Sequence, residues 1–144
     1  MNFVDAIKNC FVKYVEFRGR ASRAEFWYFA LFCLLLVISA DILDAAIVKK
    51  SYWSTDRPLF GPLFSVSLLL TSLPFYSVSA RRLHDVGKSG WWQLIYVTGI
   101  GYIPLIIWSA TPSQNVSNKF GDPTHSNASD YEPFILPKWV QFFV

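Results

Sequence analysis

Two long stretches of the sequence contain no charged residue, and they restrict the fold more than any other feature. They cover residues 58–80 and 89–118, which are 23 and 30 residues long. A run of this length is too long for a helix that is half exposed to water, but it suits a hydrocarbon core about 30 Å thick. Charged residues make up 16% of the 144-residue chain, against about a quarter in soluble domains. The sequence therefore predicts a small integral membrane protein and excludes a soluble globular domain, a disordered tail and a disulfide-stapled secreted module.

The hydrophobic pattern predicts an all-α membrane protein with three transmembrane helices in one domain, residues 1–123. The predicted spans cover about residues 26–48, 58–80 and 91–110. At 1.5 Å per residue the first span is about 34 Å long, which is enough to cross with some tilt. We expect residues 124–144 to form a C-terminal tail that is first polar and then apolar, and too short in its apolar part to cross.

An amphipathic helix is predicted over residues 1–17, ahead of the first span. Apolar residues recur there at helical spacing, with polar residues on the other side. Because this segment leads directly into a span, we expect it to lie in the membrane interface; the alternative is a helix packed on a soluble partner. We expect the first span to be retained, since it closes at Asp41 and Asp44 rather than at the small-residue cleavage site of a signal peptide.

A first motif, FRGRASRAEFW at residues 17–27, precedes the first span. Ser22 followed by Glu25 resembles a capping box that opens the next helix, and Trp27 is placed to anchor that helix at the interface. The motif also contains three arginines, Arg18, Arg20 and Arg23.

A second motif, ARRLHDVGKSGWW at residues 80–92, lies where the two charge-free stretches are separated. Arg81 and Arg82 are predicted at a helix end in the headgroup region, where a guanidinium group forks onto phosphate and anionic lipid attracts cations. Arg81 and Asp85 are i,i+4 neighbours that could pair. Trp91 and Trp92 are predicted interface anchors of the third span.

Three interpretations of the second motif stay open. In the first it is purely structural, with positive-inside charges, a turn and aromatic anchors. In the second it binds an anionic headgroup or phosphate. In the third, His84 and Asp85 carry proton or catalytic chemistry, which would make the protein a lipid-headgroup enzyme.

Asp41 and Asp44 lie one turn apart near the far end of the first span. An ionisable group inside a span is costly and marks a functional hypothesis, here an ion or proton path in a small channel or transporter. The alternative is that both reach the interface or pair with Lys49, Lys50 or Arg57. No second cluster of intramembrane carboxylates or histidines continues such a path.

Metal, cofactor and nucleic-acid sites are not predicted. Cys10 and Cys33 are expected at different depths, as unpaired small hydrophobes. Two histidines without a cysteine cluster do not suit a metal site, and no cofactor is indicated. The net charge of +3 is too small and too dispersed for a nucleic-acid surface.

The two motifs resemble those of the bacterial inner-membrane family called domain of unknown function 805. Its members open with Gly-Arg-x-x-Arg-x-Glu-aromatic-Trp and carry Arg-Arg-Leu-His-Asp-x-x-x-Ser-x-Trp-Trp before the last span. They close with an Asn-basic-aromatic-Gly stretch that ends in Asp-Pro, here NKFGDP at residues 118–123, with Asn118, Phe120 and Gly121. The chain departs from this pattern by lacking a residue between Gly121 and Asp122 and by extending beyond Pro123. The resemblance implies a multi-pass bacterial inner-membrane (plasma-membrane) protein with three spans, and it assigns no activity.

The distribution of basic residues predicts orientation and function. With three spans, eight of the 13 Lys and Arg fall on the side of the N-terminus and five on the other, which favours a cytoplasmic N-terminus and an external C-terminus. We predict a binding or scaffold module whose cytoplasmic face recognises anionic lipid headgroups or a membrane partner, with a homo-oligomer as one form of partner. That face would be built from Arg18, Arg20, Arg23, Arg81, Arg82, His84 and Asp85.

Overall fold

The computed structural model describes residues 1–48 and 60–124. Within these two ranges the chain is helical and contains no β-strand. The predicted loop around residues 49–57 and the predicted tail from residue 125 onward lie outside the described residues. The helices are α1 (Phe3–Val12), α2 (Arg23–Val48), α3 (Pro62–Asp85), a 3₁₀ helix (Gly90–Thr98) and α4 (Tyr102–Ala110).

Helix α1 is capped by Asn2, whose side-chain oxygen accepts a hydrogen bond from the Asp5 amide at 2.8 Å. One face is buried through Ala6 and Cys10, while the opposite face is exposed. Phe11 packs edge-on against α2, with its ring centroid 5.6 Å from that of Phe29. The predicted N-terminal helix is confirmed over residues 3–12, and its position in the membrane interface stays a prediction.

Helices α2 and α3 form an antiparallel pair. Asp44, near the end of α2, accepts hydrogen bonds from amides in the first turn of α3, and Glu25, at the start of α2, pairs with Arg81 at the end of α3. Both helices are long and apolar enough to cross a membrane; at 1.5 Å per residue, the 26 and 24 residues span about 39 and 36 Å. Phe26 and Phe29 of α2 form a core with Val78 of α3.

Several buried positions of α3 before Arg81 carry small residues, among them Ser67, Thr71, Ser77, Ser79 and Ala80, which allow close helix packing in lipid. Ser67 and Thr71 are buried, and each hydroxyl donates to a carbonyl of the preceding turn, at 2.8 Å in both cases. The polar groups are therefore satisfied within the helix, as an apolar environment requires.

The predicted third span is a hairpin of two short helices. The 3₁₀ helix leads away from the end of α3, and α4 returns, so that Trp92 lies 5.5 Å from Trp108 and Tyr96 lies 4.7 Å from Tyr102 between ring centroids. Gly99 turns the chain with φ +71°, and a Cβ on Gly101 would overlap the Ile95 carbonyl. With nine residues each, the legs are about 18 and 14 Å long, short of the roughly 30 Å of a bilayer core. The prediction of one continuous transmembrane helix over residues 91–110 is therefore wrong, and three spans are not confirmed.

The hairpin returns the chain to the end of α3 from which it left. The Gln114 amide donates to the Asp85 carbonyl at 3.1 Å, and Arg20 donates to the Val116 carbonyl at 2.9 Å. Residues 111–124 thus lie beside the first motif. The prediction that these two parts of the chain lie on opposite sides of the membrane is wrong for the described residues, because they are in direct contact.

Candidate functional site

The two motifs and NKFGDP at residues 118–123, which we call the tail motif, meet at the C-terminal end of α3. The helix ends in a Schellman arrangement, in which Gly87 donates to the His84 carbonyl at 3.0 Å and Lys88 to the Leu83 carbonyl at 2.9 Å. Gly87 has φ +76°, the left-handed conformation that a glycine adopts without strain. This turn directs the chain away from α3 and into the hairpin.

Two arginines converge on Asp85 at this point. Arg20 donates from Nε to Asp85 Oδ1 at 2.8 Å, and Arg82 donates from Nη1 to Asp85 Oδ2. All three side chains are buried. The predicted i,i+4 pairing of Arg81 with Asp85 is wrong, because both carboxylate oxygens of Asp85 are engaged by other arginines.

Arg81 instead pairs with Glu25. Its Nη1 donates to Glu25 Oε1 at 2.7 Å, and both side chains are buried. Nε and Nη2 of Arg81 have no hydrogen-bond partner among the described residues. Ser22 Oγ accepts from the Glu25 amide at 3.2 Å, so the backbone half of the predicted capping box is confirmed, while the Glu25 carboxylate binds the guanidinium group.

Further hydrogen bonds connect Arg82 and Arg20 to the hairpin and to the segment that follows it, residues 111–124. Arg82 donates from Nε to the Ser109 carbonyl at 3.0 Å and from Nη2 to the Thr111 carbonyl. Arg20 donates from Nη1 to the carbonyls of Val116 and Gly121 at 2.9 and 3.3 Å. We call Arg20, Glu25, Arg81, Arg82 and Asp85 the ion-pair network.

The ion-pair network changes the interpretation of the basic motifs. Arg81 and Arg82 are 1% and 0% exposed, and their hydrogen-bonded groups are directed at internal carboxylates and carbonyls. A buried ion pair offers little net stability over an apolar pair, whereas removing one partner leaves a costly unpaired charge. The network therefore acts as a polar joint between four parts of the chain, and its guanidinium groups are buried.

His84 and the tail motif form a second contact beside the network. The His84 and Phe120 rings stack in parallel, with centroids 3.9 Å apart. Asn118 donates from Nδ2 to the His84 carbonyl at 3.0 Å and accepts from the Phe120 amide at 2.9 Å. Gly121 forms a bridge with Asn118 at φ +132°. The tail motif thus covers the last turn of α3.

The structure gives no support to a catalytic pair of His84 and Asp85. His84 Nδ1 lies 3.1 Å from the Gly19 carbonyl, and the Asp85 carboxylate is occupied by two arginines. The two neighbours in sequence therefore serve separate contacts.

Three basic residues remain exposed near this end of α3. Arg18 and Arg23 flank the buried Arg20, and Lys119 lies with its Nζ 5.0 Å above the Phe120 ring. None of the three has an ion-pair partner among the described residues. We call Arg18, Arg23 and Lys119 the basic rim.

The predicted interface anchors are exposed to different degrees. Trp91 is 78% exposed, whereas Trp27 and Trp92 are about half exposed. Trp92 packs against Trp108 inside the hairpin. Whether these side chains lie at the headgroup level stays a prediction.

Asp44 lies at the other end of the helix pair and caps α3. Its Oδ1 accepts from the Leu63 amide at 3.1 Å and its Oδ2 from the Phe64 amide at 2.8 Å. The side chain is buried, and a Cβ on Gly61 would overlap it. Both carboxylate oxygens of Asp44 are thus used by a helix N-terminus, which does not favour an ion path. Asp41, one turn earlier, is partly exposed.

An apolar cavity of about 590 Å³ lies between α3 and the 3₁₀ helix. Its walls come from both helices, and Phe17 and Phe120 also line it, together with His84. The volume is within the range of small-molecule sites, about 300–1,000 Å³. Within residues 1–48 and 60–124, no three His, Cys, Asp or Glu side chains are grouped as a metal site.

Sequence reasoning missed the role of Glu25 and of the segment after α4. The signal for Glu25 was its charge at the start of an apolar helix beside three arginines. Gln114 and the carbonyls of Ser109 and Thr111 gave no such signal, because backbone acceptors are the same at every residue.

Known proteins of similar sequence are inner-membrane proteins. No solved structure shows a significant match to the chain. The Inner membrane protein YhaH of Escherichia coli K12 is 33% identical over 123 residues, which cover 84% of this chain and 94% of YhaH. The Inner membrane protein YhaI of the same organism is 31% identical over 121 residues, 83% of this chain and 92% of YhaI. The family described as protein of unknown function (DUF805) matches residues 14–122, a range that includes the first motif, the ion-pair network and nearly all of the tail motif. The chain therefore belongs to the DUF805 family of membrane proteins.

Proposed function

We propose that the protein is a membrane-embedded scaffold that binds anionic lipid headgroups through the basic rim. One observation carries this proposal: the basic residues fall into two groups. Arg20, Arg81 and Arg82 form ion pairs with buried carboxylates, whereas the basic rim is exposed. Basic residues close to an anionic surface contribute about 1 kcal/mol each. The proposal keeps two of the seven residues predicted for the headgroup face, Arg18 and Arg23, and adds Lys119.

The arrangement in the membrane is part of the proposal. Helices α2 and α3 cross the bilayer, and the hairpin enters it and returns on the same side. Of the 13 Lys and Arg, nine then belong to segments on the network side of the bilayer, three (Lys49, Lys50 and Arg57) belong to the connection between the far helix ends, and Lys138 lies outside the described residues. This bias is stronger than the bias from three spans, and it supports a cytoplasmic position for the N-terminus and the basic rim.

The outer faces of α2 and α3 offer a second surface for a partner. Leu35, Ile38 and Ile42 of α2 are exposed, as is Leu69 of α3, so lipid tails or a second copy of the chain can cover them. We expect the ion-pair network to fix the position of the basic rim relative to this apolar surface.

Native mass spectrometry of the purified full-length protein tests headgroup binding. The protein is exchanged into bilayer discs that contain equal amounts of phosphatidylglycerol and phosphatidylcholine, and the retained lipids are counted. The variant Arg18→Gln with Arg23→Gln and Lys119→Gln is expected to lose the preference for phosphatidylglycerol, by up to about a hundredfold in relative affinity if three contacts of about 1 kcal/mol each are removed.

The matched control is Lys49→Gln with Lys50→Gln and Arg57→Gln, which removes the same net charge from the opposite connection. We expect this control to keep the wild-type preference. Equal loss in both triple variants, or no preference in the wild-type protein, would overturn headgroup binding at the basic rim.

A further inference from the structure

The cavity beside α3 has a direction that matches a lipid chain. His84, Ala80 and Tyr76 line it at intervals of four residues, so they form one face of α3 over about 12 Å of helix. His84 is at the end of the helix that carries the network, and Tyr76 is deeper in the helix. The cavity therefore runs parallel to the crossing helix, from a polar end into an apolar one.

The opposite wall is an exposed row on the 3₁₀ helix. Trp91, Leu94 and Val97 line the cavity at intervals of three residues, which share one face in a 3₁₀ helix. They are 78%, 63% and 89% exposed. Such a row is costly to leave in water and has no partner side chain in the described part of the structure that covers it.

One nitrogen at the polar end of the cavity is a free hydrogen-bond acceptor. His84 Nδ1 lies 3.1 Å from the Gly19 carbonyl oxygen, and because a carbonyl can only accept, the proton of the neutral ring is on Nδ1. Nε2 is then an acceptor. It lies on the side of Gly90, where an added Cβ would be 3.3 Å away, and it has no hydrogen-bond partner among the described residues.

We propose that this cavity binds a membrane amphiphile whose alkyl chain lies between α3 and the 3₁₀ helix and whose hydroxyl group donates a hydrogen bond to His84 Nε2. The parallel stack of Phe120 on His84 holds the imidazole in place, and the row of Trp91, Leu94 and Val97 covers the chain. This site uses none of the basic-rim residues, so either proposal can fail without the other.

A pair of probes that differ in one property tests the proposal. The first is a 1-O-decylglycerol, and the second is the same molecule with both hydroxyl groups methylated. Binding is measured on the full-length protein in a detergent without hydroxyl groups. The wild-type protein is expected to bind the hydroxyl probe about three- to tenfold more tightly, which is the range for one hydrogen bond.

The variant His84→Phe keeps an aromatic partner for Phe120 and removes the acceptor. We expect its affinity for the methylated probe to be unchanged and the preference for the hydroxyl probe to disappear. A preference that survives in His84→Phe would overturn the role of Nε2. Equal affinity of the wild-type protein for both probes would do the same.

Tryptophan fluorescence quenching locates the alkyl chain of the probe and needs no substitution at His84. Probes brominated near the middle of the alkyl chain quench nearby tryptophans, and the quenching is expected to fall in Trp91→Phe and to stay the same in Trp27→Phe. If neither probe binds, if quenching is insensitive to Trp91, or if a protein segment instead covers the row, the cavity is not a lipid site.

Discussion

Arg20 and Asp85, 65 positions apart in the chain, form a buried ion pair in which Arg20 Nε donates to Asp85 Oδ1 at 2.8 Å. Arg20 also donates to the backbone carbonyls of Val116 and Gly121. Asp85 in turn accepts hydrogen bonds from Arg82 and, at 3.3 Å, from the Thr124 hydroxyl. One pair thus connects the first motif, the second motif and the segment after the hairpin. Arg20, Arg81 and Arg82 therefore stabilise the fold.

Replacing Asp85 by Ala is expected to destabilise the protein by about 3–5 kcal/mol, because Arg20 and Arg82 are left as buried, unpaired charges. Unfolding by denaturant in mixed micelles measures the change. Asp122→Asn is the control: Asp122 is exposed and bound by Ser117 at 2.7 Å, so we expect less than about 1 kcal/mol. Similar losses in both variants would contradict the special position of Asp85.

Replacing Asp44 by Ala is expected to cost about 1–2 kcal/mol, since two amides of the first turn of α3 lose their acceptor. Asp44→Asn keeps one carbonyl oxygen and should recover part of the loss. The same unfolding measurement reports both. Proteoliposomes that carry an ion flux sensitive to Asp44→Asn, with stability unchanged, would favour the channel interpretation over the cap.

Residues 18 and 117 are expected to be accessible from the same side of the membrane. Single cysteines at Arg18→Cys and Ser117→Cys, in a Cys10→Ala, Cys33→Ala background, should react alike with a membrane-impermeant maleimide in inverted vesicles. Ser54→Cys, in the connection between α2 and α3, serves as the control and should react only from the other side. If residues 18 and 117 instead react from opposite sides of the membrane, the prediction of three transmembrane helices would be favoured.

Cys10 is expected to resist alkylation in the folded protein. Burial, followed in importance by the Glu25 charge, raises the pKa of its thiol to about 12, so the reactive thiolate is scarce at neutral pH. In a Cys33→Ala variant, iodoacetamide should modify Cys10 slowly at pH 8 and quickly after unfolding. The folded rate should rise with pH up to about 12; a plateau near pH 8–9 would indicate an unperturbed thiol.

The turn of the hairpin depends on Gly101. A Cβ there would overlap the Ile95 backbone carbonyl, which cannot move without opening the turn. Gly101→Ala is therefore expected to destabilise the protein by about 1–3 kcal/mol, the usual cost of overpacking. Gly99→Ala is the comparison that reports backbone strain alone, because Gly99 has a positive φ and no neighbour within 4 Å. Gly101→Ala reports steric crowding. An unfolding midpoint for Gly101→Ala equal to that of the wild type would contradict this account.

The lengths of the apolar runs correctly predicted the two long helices, α2 and α3. The prediction for residues 91–110 was wrong, because the chain reverses direction there. Helices α2 and α3 begin within four residues of the predicted spans, because a long apolar run has one stable arrangement in a bilayer. Residues 91–110 have the composition of a third span, yet Gly99 and Gly101 allow a sharp turn. Composition alone does not distinguish a crossing helix from a hairpin of the same length.

The motifs predicted where charges gather but not what they contact. The arginines of both motifs do converge, as their placement near span ends suggested. Whether Arg81 and Arg20 face a headgroup or an internal carboxylate depends on Glu25 and Asp85, which are 56 and 65 positions away from them. Such pairings follow from the tertiary fold, and periodicity carries no information about them.

The ion-pair network also sets an order for biosynthesis. Arg20 leaves the ribosome early, but its carbonyl partners at Val116 and Gly121 are made about a hundred residues later. Until Asp85 is made, Arg20 must stay hydrated at the membrane surface, because burying an unpaired charge is costly. The two long helices can therefore insert first, and the polar joint closes only when the segment after the hairpin arrives. A chain that stops before residue 114 would contain both long helices but lack the carbonyl acceptors of Arg20 at Gln114, Val116 and Gly121, so the synthesis of this segment completes the network.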